Sequence, residues 1–143
     1  MKKSPETRLW QKIRPLFPQS ASINRIESHS TSIGFPDLEF CIKGCQGTLE
    51  LKAVRTVGDR VLSRASQLGW NRRRLKAGGK PLMLLWVEDI DNFYLLRGCD
   101  VLDIHDHGDP YEYINHSAAH FDWDEMQQHF IKKIKLLSMR EGE

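Results

Sequence analysis

The alternation of apolar and polar residues divides this chain into elements before any single side chain is considered. Leu9, Trp10, Ile13, Leu16 and Phe17 recur at helical spacing over residues 6 to 16, behind a Ser4-Pro5 start and ahead of Pro15 and Pro18. Residues 22 to 28 (SINRIES) predict a short strand, and SHSTSIG a loop of turn formers. Two more strands are expected at about 37–42 and 48–54, joined through Lys43-Gly44-Cys45-Gln46-Gly47. A helix from about Arg60 to Ala77 ends at Gly78-Gly79. The run LMLLWV after Pro81 is apolar throughout, which predicts a strand buried on both faces, and the strand FYLLR follows it. A short helix near 99–104 leads into an acidic, histidine-bearing loop that reaches residue 121. The last helix, about 122–139, carries an Asp122/Glu125 capping box and a Trp123, Met126, Phe130, Ile134, Leu137 stripe.

This order predicts an α/β fold: a central mixed sheet of about four or five strands flanked by helices, in one domain over residues 1–143. A chain of this length buries roughly two-thirds of its unfolded surface, so a core forms without disulfide or metal staples. The three cysteines, Cys41, Cys45 and Cys99, are odd in number and fit reduced thiols. No apolar run approaches the ~20 residues of a membrane helix. We therefore expect a cytoplasmic protein with no membrane partner.

Charge is divided along the chain. Residues 55 to 80 hold eight Lys/Arg against one acid, whereas residues 100 to 125 hold eight acids and no Lys or Arg. The first block suits a polyanion, or else a solvated face.

The most informative chemistry lies in FPDLEFCIKGCQGTLELKAV, residues 35 to 54. Strand alternation places Glu50 and Lys52 on one face, and Asp37, Glu39 and Cys41 on one face of the preceding strand. Antiparallel pairing brings Asp37 toward Glu50 and Lys52. Close carboxylates raise one another's pKa unless a cation joins them. Magnesium takes one or two protein carboxylates plus waters and a phosphate, and a neighbouring lysine can orient the attacking water. An ordinary cross-strand ion pair is the simpler alternative.

Gly34-Phe35-Pro36-Asp37, twelve intervening residues and Glu50-Leu51-Lys52 together resemble the signature of the PD-(D/E)XK nuclease superfamily. The likeness covers roughly residues 5 to 97, and is greatest to the small VRR-NUC and Holliday-junction-resolvase branches. It implies a restriction-endonuclease-like core and a magnesium-dependent DNA endonuclease, with manganese able to substitute. Asp37, Glu50 and the backbone carbonyl of Leu51 would hold the metal, and Lys52 would position water. Gln67, with Trp70 three residues on, resembles a glutamine that supports the site in several branches. Glu6 and Glu27 compete as an additional acid, with Glu39 peripheral. The resemblance also implies a 5′-phosphate product and, for resolvases, a homodimer.

Arg60, Arg64, Gln67, Asn71 and Arg74 fall on one stripe of the expected basic helix, beside an apolar stripe of Val61, Ala65, Leu68 and Leu75. With Arg72, Arg73 and Lys76 they are candidate DNA contacts. Such contacts read backbone rather than bases, so branched, junction or flap DNA is the expected substrate. Cleavage of ordinary duplex or single-stranded ends, or DNA binding without catalysis, are the alternatives. Ser30, Thr31 and Ser32 could touch a phosphate. Cys41, Cys45 and Cys99 with His105 or His107, and His116-x-x-x-His120, could bind a transition metal, but they read more simply as thiols and a solvated acidic loop. Trp86, Phe93 and Tyr94 read as core.

Overall fold

The computed structural model describes residues 3–26, 34–61, 63–107 and 112–139. Ser4 Oγ accepts the Thr7 amide at 3.1 Å and Pro5 fills the first turn, so α1 (Pro5–Ile13) starts where the capping residues place it. A 3₁₀ turn at Arg14–Leu16, containing Pro15, closes the helix. The chain continues as β1 (Ser22–Arg25), β2 (Leu38–Ile42), β3 (Cys45–Val54), α2 (Ala65–Lys76), β4 (Leu82–Val87) and β5 (Asn92–Arg97). Then follow α3 (Gly98–His107), α4 (Glu112–Asn115), β6 (Ala119–Phe121) and α5 (Trp123–Ser138).

The strands form one six-stranded mixed sheet in chain order. β3 and β4 are parallel and the other neighbours antiparallel. A parallel pair needs a crossover, which α2 supplies. The strand count exceeds the four or five expected because residues 119–121 pair with β5, Phe121 opposite Phe93. The expected acidic loop is thus replaced by α3, α4 and β6 over its described residues. His116 follows α4 and His120 lies on β6, so they share no helix face.

The β2–β3 connection is shorter than expected. Lys43 and Gly44 alone make the turn, with φ of 48° and 84°, and Cys45 already pairs with Ile42. Two positive φ angles match the right-handed twist of the flanking strands. The expected helix from Arg60 also shortens, starting at Ala65. Asp59 collects the amides of Arg55 and Thr56 and the Thr56 hydroxyl, which fixes a turn at 55–59.

Two cores cover the sheet. On one face Leu9 and Ile13 of α1 and Met126, Phe130 and Ile134 of α5 pack on Leu38, Phe40, Leu49, Leu51 and Leu84. On the other, Val101, Ile104 and Tyr113 pack on Met83, Leu85 and Tyr94. All six residues of β4 are buried, as its uninterrupted apolar run predicts. Trp86, Phe93 and Tyr94 are core residues, the first two stacked at 6.1 Å. Both capping-box bonds form at α5, Glu125 N to Asp122 Oδ1 at 2.8 Å and Asp122 N to Glu125 Oε1 at 3.1 Å. No helix among the described residues is long and apolar enough to cross a membrane.

Candidate active site

The hairpin register decides which side chains meet. Leu38 pairs with Leu49, so the next position outward sets Asp37 against Glu50 on the face away from Leu38 and Leu49. The Asp37 carbonyl instead accepts the Ile26 amide at 2.7 Å, on the β1 side. The Asp37–Glu50 position is therefore not joined by backbone bonds, the geometry in which facing side chains come closest.

Asp37 Oδ2 accepts the Leu51 amide at 2.7 Å, which carries the carboxylate past the end of the β2 ladder. A strand residue aims its N–H and C=O at the same edge, so the Leu51 carbonyl opens toward Asp37 as well. Glu50 is largely buried between them. Burial, then the Asp37 carboxyl, push its pKa up to about 9, against an opposing pull from Lys52. Glu50 Oε1 is buried without a hydrogen-bond partner. Two carboxyl groups thus meet at one edge, with a lysine two residues along the same strand face.

Lys52 is held from the crossover. Its ammonium donates to Gln67 Oε1 at 3.1 Å, and the same oxygen accepts the Arg64 amide at 3.1 Å. Gln67 therefore caps α2 and fixes the lysine with one atom. The segment before Asp37 packs against the same helix. Gly34, at φ 82°, sits so close that an added Cβ would lie 2.2 Å from the Ser66 carbonyl oxygen. Phe35 meets Trp70 with ring centroids 5.3 Å apart.

The remaining predicted residues fall less neatly. Glu6 lies in the first turn of α1, which packs on the opposite sheet face, and among the described residues no three His, Cys, Asp or Glu groups form a metal-holding cluster. Glu27 lies outside the described residues, as do Ser30, Thr31 and Ser32. Glu39 is exposed and accepts from Asn24 at 3.2 Å, away from the pair. Because α2 begins at Ala65, Arg60 and Val61 are not part of a helical stripe; Arg60 is exposed, Val61 is buried in the second core, and Ala65 is exposed.

Arg64 remains exposed at the helix start. Asn71 is not free to meet a ligand from the surface, since its Nδ2 donates to the Gly98 carbonyl at 3.2 Å. Arg72 is tied to Asp106, whose carboxyl is held below its ordinary pKa by His105 and Arg72. Arg74 covers Trp70 at 5.5 Å, and Arg73 and Lys76 are exposed. Cys41 and Cys45 are free thiols near the hairpin end and Cys99 is an exposed free thiol at the start of α3. Sequence reasoning missed Ser63, whose hydroxyl is buried beside Glu50, because it fell inside the helix expected from Arg60.

No protein-family model matches the chain, and no curated protein shows significant similarity to it.

Proposed function

We propose that the protein is a metal-dependent DNA endonuclease of the PD-(D/E)XK type with a restriction-endonuclease-like core. The observation that carries this reading is the meeting of Asp37 and Glu50 beside a Lys52 fixed by Gln67. An ordinary cross-strand ion pair would instead join the acid and lysine directly and leave no second acid beside them.

The residues present fit a hard divalent cation. Asp37 and Glu50 set two carboxyl groups side by side, and burial first, then the Asp37 carboxyl, raise the Glu50 pKa, a cost that a bound cation would relieve. Asp37, Glu50 and the Leu51 carbonyl would hold Mg²⁺ or Mn²⁺. When bound, the metal supplies charge neutralisation at the attacked phosphate. Lys52 orients the attacking water and offsets charge gathering on the phosphate oxygens, while Gln67 keeps its ammonium in place. Arg64, exposed at the start of α2 beside Gln67, supplies backbone grip, with the exposed Arg60 as a second candidate. Grip of this kind senses the path of the strands rather than their bases, which favours branched, junction or flap substrates.

The test is a digest of junction, flap, duplex and single-stranded DNA with Mg²⁺ and with EDTA, using the parent, Asp37→Asn and Lys52→Ala proteins. Metal-dependent cutting by the parent, lost in both variants while DNA binding persists, supports the enzyme. A parent that binds DNA yet cuts none of these with Mg²⁺ or Mn²⁺ refutes it and leaves a binding module.

A further inference from the structure

Beside Glu50, between β3, α2 and the start of α3, lies a partly open pocket of about 30 Å³. Its walls are mainly apolar, including Leu68, Leu82, Met83 and Val101. Glu50, Ser63 and Asn71 also line it, and each carries a buried oxygen: Glu50 Oε1, Ser63 Oγ and Asn71 Oδ1. All three are buried and none has a hydrogen-bond partner. Buried polar atoms left in that condition are costly, and their gathering around one small space points to a shared partner.

The size and the donor count identify that partner. A water requires roughly 10–15 Å³, so the space admits about one or two. Asn71 donates its Nδ2 to Gly98 O at 3.2 Å, which fixes the amide and leaves Oδ1 as its buried, unpartnered acceptor. One water then closes the count: it donates to Glu50 Oε1 and to Asn71 Oδ1 and accepts the Ser63 hydroxyl proton. Three bonds are what a buried water ordinarily makes. A Mg²⁺ or Ca²⁺ ion in the same space would find three oxygens where it needs at least about six, with apolar walls elsewhere.

We propose that a single buried water links Glu50 Oε1, Ser63 Oγ and Asn71 Oδ1, making Ser63 and Asn71 positioning residues for the Glu50 carboxylate. The positioning role rests on the nuclease reading above. Held from behind by one oxygen, Glu50 keeps its other oxygen beside Asp37. The connection preceding α2 and the helix itself thus brace the acid through Ser63 and Asn71, as they brace Lys52 through Gln67.

The experiment pairs a high-resolution crystal structure of the full chain with Mg²⁺ titration calorimetry of parent, Ser63→Ala and Ser63→Thr proteins. The expected result is density for a water within hydrogen-bond reach of all three oxygens. Mg²⁺ affinity should fall about tenfold or more in Ser63→Ala and return in Ser63→Thr, which keeps the hydroxyl. On cleavage, Ser63→Ala should lower kcat at fixed subsaturating Mg²⁺ and leave KM for DNA unchanged. A merely structural serine would move the melting temperature without that split. A dry cavity, an ion in place of the water, or parent-like Mg²⁺ affinity in a folded Ser63→Ala protein overturns the proposal. A parent that neither binds Mg²⁺ nor cuts DNA overturns the nuclease reading and the positioning role with it, while the density still decides the bridging water.

Discussion

The Lys52 ammonium donates to Gln67 Oε1 at 3.1 Å, joining the central strand β3 to the helix that crosses over it. That oxygen also accepts the Arg64 amide, so the glutamine cannot swing away without uncapping α2. Gln67→Ala should therefore act on the chemical step. We expect kcat to fall about 10- to 100-fold, the scale of a misplaced catalytic group, with KM for DNA nearly unchanged. Steady-state kinetics on the best-cut DNA decide it; a raised KM at constant kcat would assign Gln67 to substrate binding instead.

The buried carboxyl of Glu50, beside that of Asp37, makes metal-free stability depend on pH. Its pKa is raised from 4.5 to about 9, so the folded state holds a proton that the unfolded chain releases earlier. The stabilisation is complete below about 4.5 and is lost as pH climbs toward 9. The melting temperature in EDTA should decline across that window, and Glu50→Gln should flatten the slope. On the nuclease reading, Mg²⁺ should restore stability most at the alkaline end, where it would take the place of the proton. Melting curves at stepped pH measure both, and a parent slope matched by Glu50→Gln would contradict the account.

Gly34 allows the Asp37 segment to lie on α2. A side chain there meets positive φ and a backbone oxygen 2.2 Å away, an obstacle that cannot rotate aside. Gly34→Ala should cost more than about 1 kcal/mol in denaturant unfolding. It should also weaken cleavage more than Gly44→Ala, whose added carbon meets no atom within 4 Å.

The arginines should separate by what already holds them. Arg64 is exposed beside the site, whereas Arg72 is engaged by Asp106 at 2.9 Å. Arg64→Ala should reduce the salt dependence of duplex binding by about 0.9 in log–log slope, one phosphate contact. Arg72→Ala should change it less, and Asp106→Asn should strengthen binding. Equal slopes for the two arginine variants would show that the ion pair opens on the DNA.

Much of this was legible in the sequence because the patterns concerned were local. Alternation around Glu50-Leu51-Lys52 gave the face of each residue, and the apolar run of β4 gave its burial on both sides. The Asp122/Glu125 cap was readable from its spacing alone. What escaped depends on distant partners. Nothing in residues 119–121 marks a strand until β5 lies beside them. The start of α2 moved to Ala65 because Gln67 reaches back to cap it and Asp59 captures the amides before it, and the arginine stripe dissolved with the lost turn. Asn71 looked like a surface contact because the Gly98 carbonyl that engages it is 27 residues away.

Among the described residues the one parallel ladder, β3 against β4, implies an order of assembly. Asp37 and Glu50 belong to a hairpin closed by two residues, which forms quickly, whereas Gln67 and Asn71 arrive only when the long α2 excursion docks. A transient opening that releases α2 would thus keep Asp37 and Glu50 together while freeing Lys52. Native-state hydrogen exchange should find α2 amides opening at lower free energy than those of β2 and β3. On the nuclease reading, such an opening would be a built-in resting form, its two acids together but its lysine displaced, separated from the active one by the docking of a single helix.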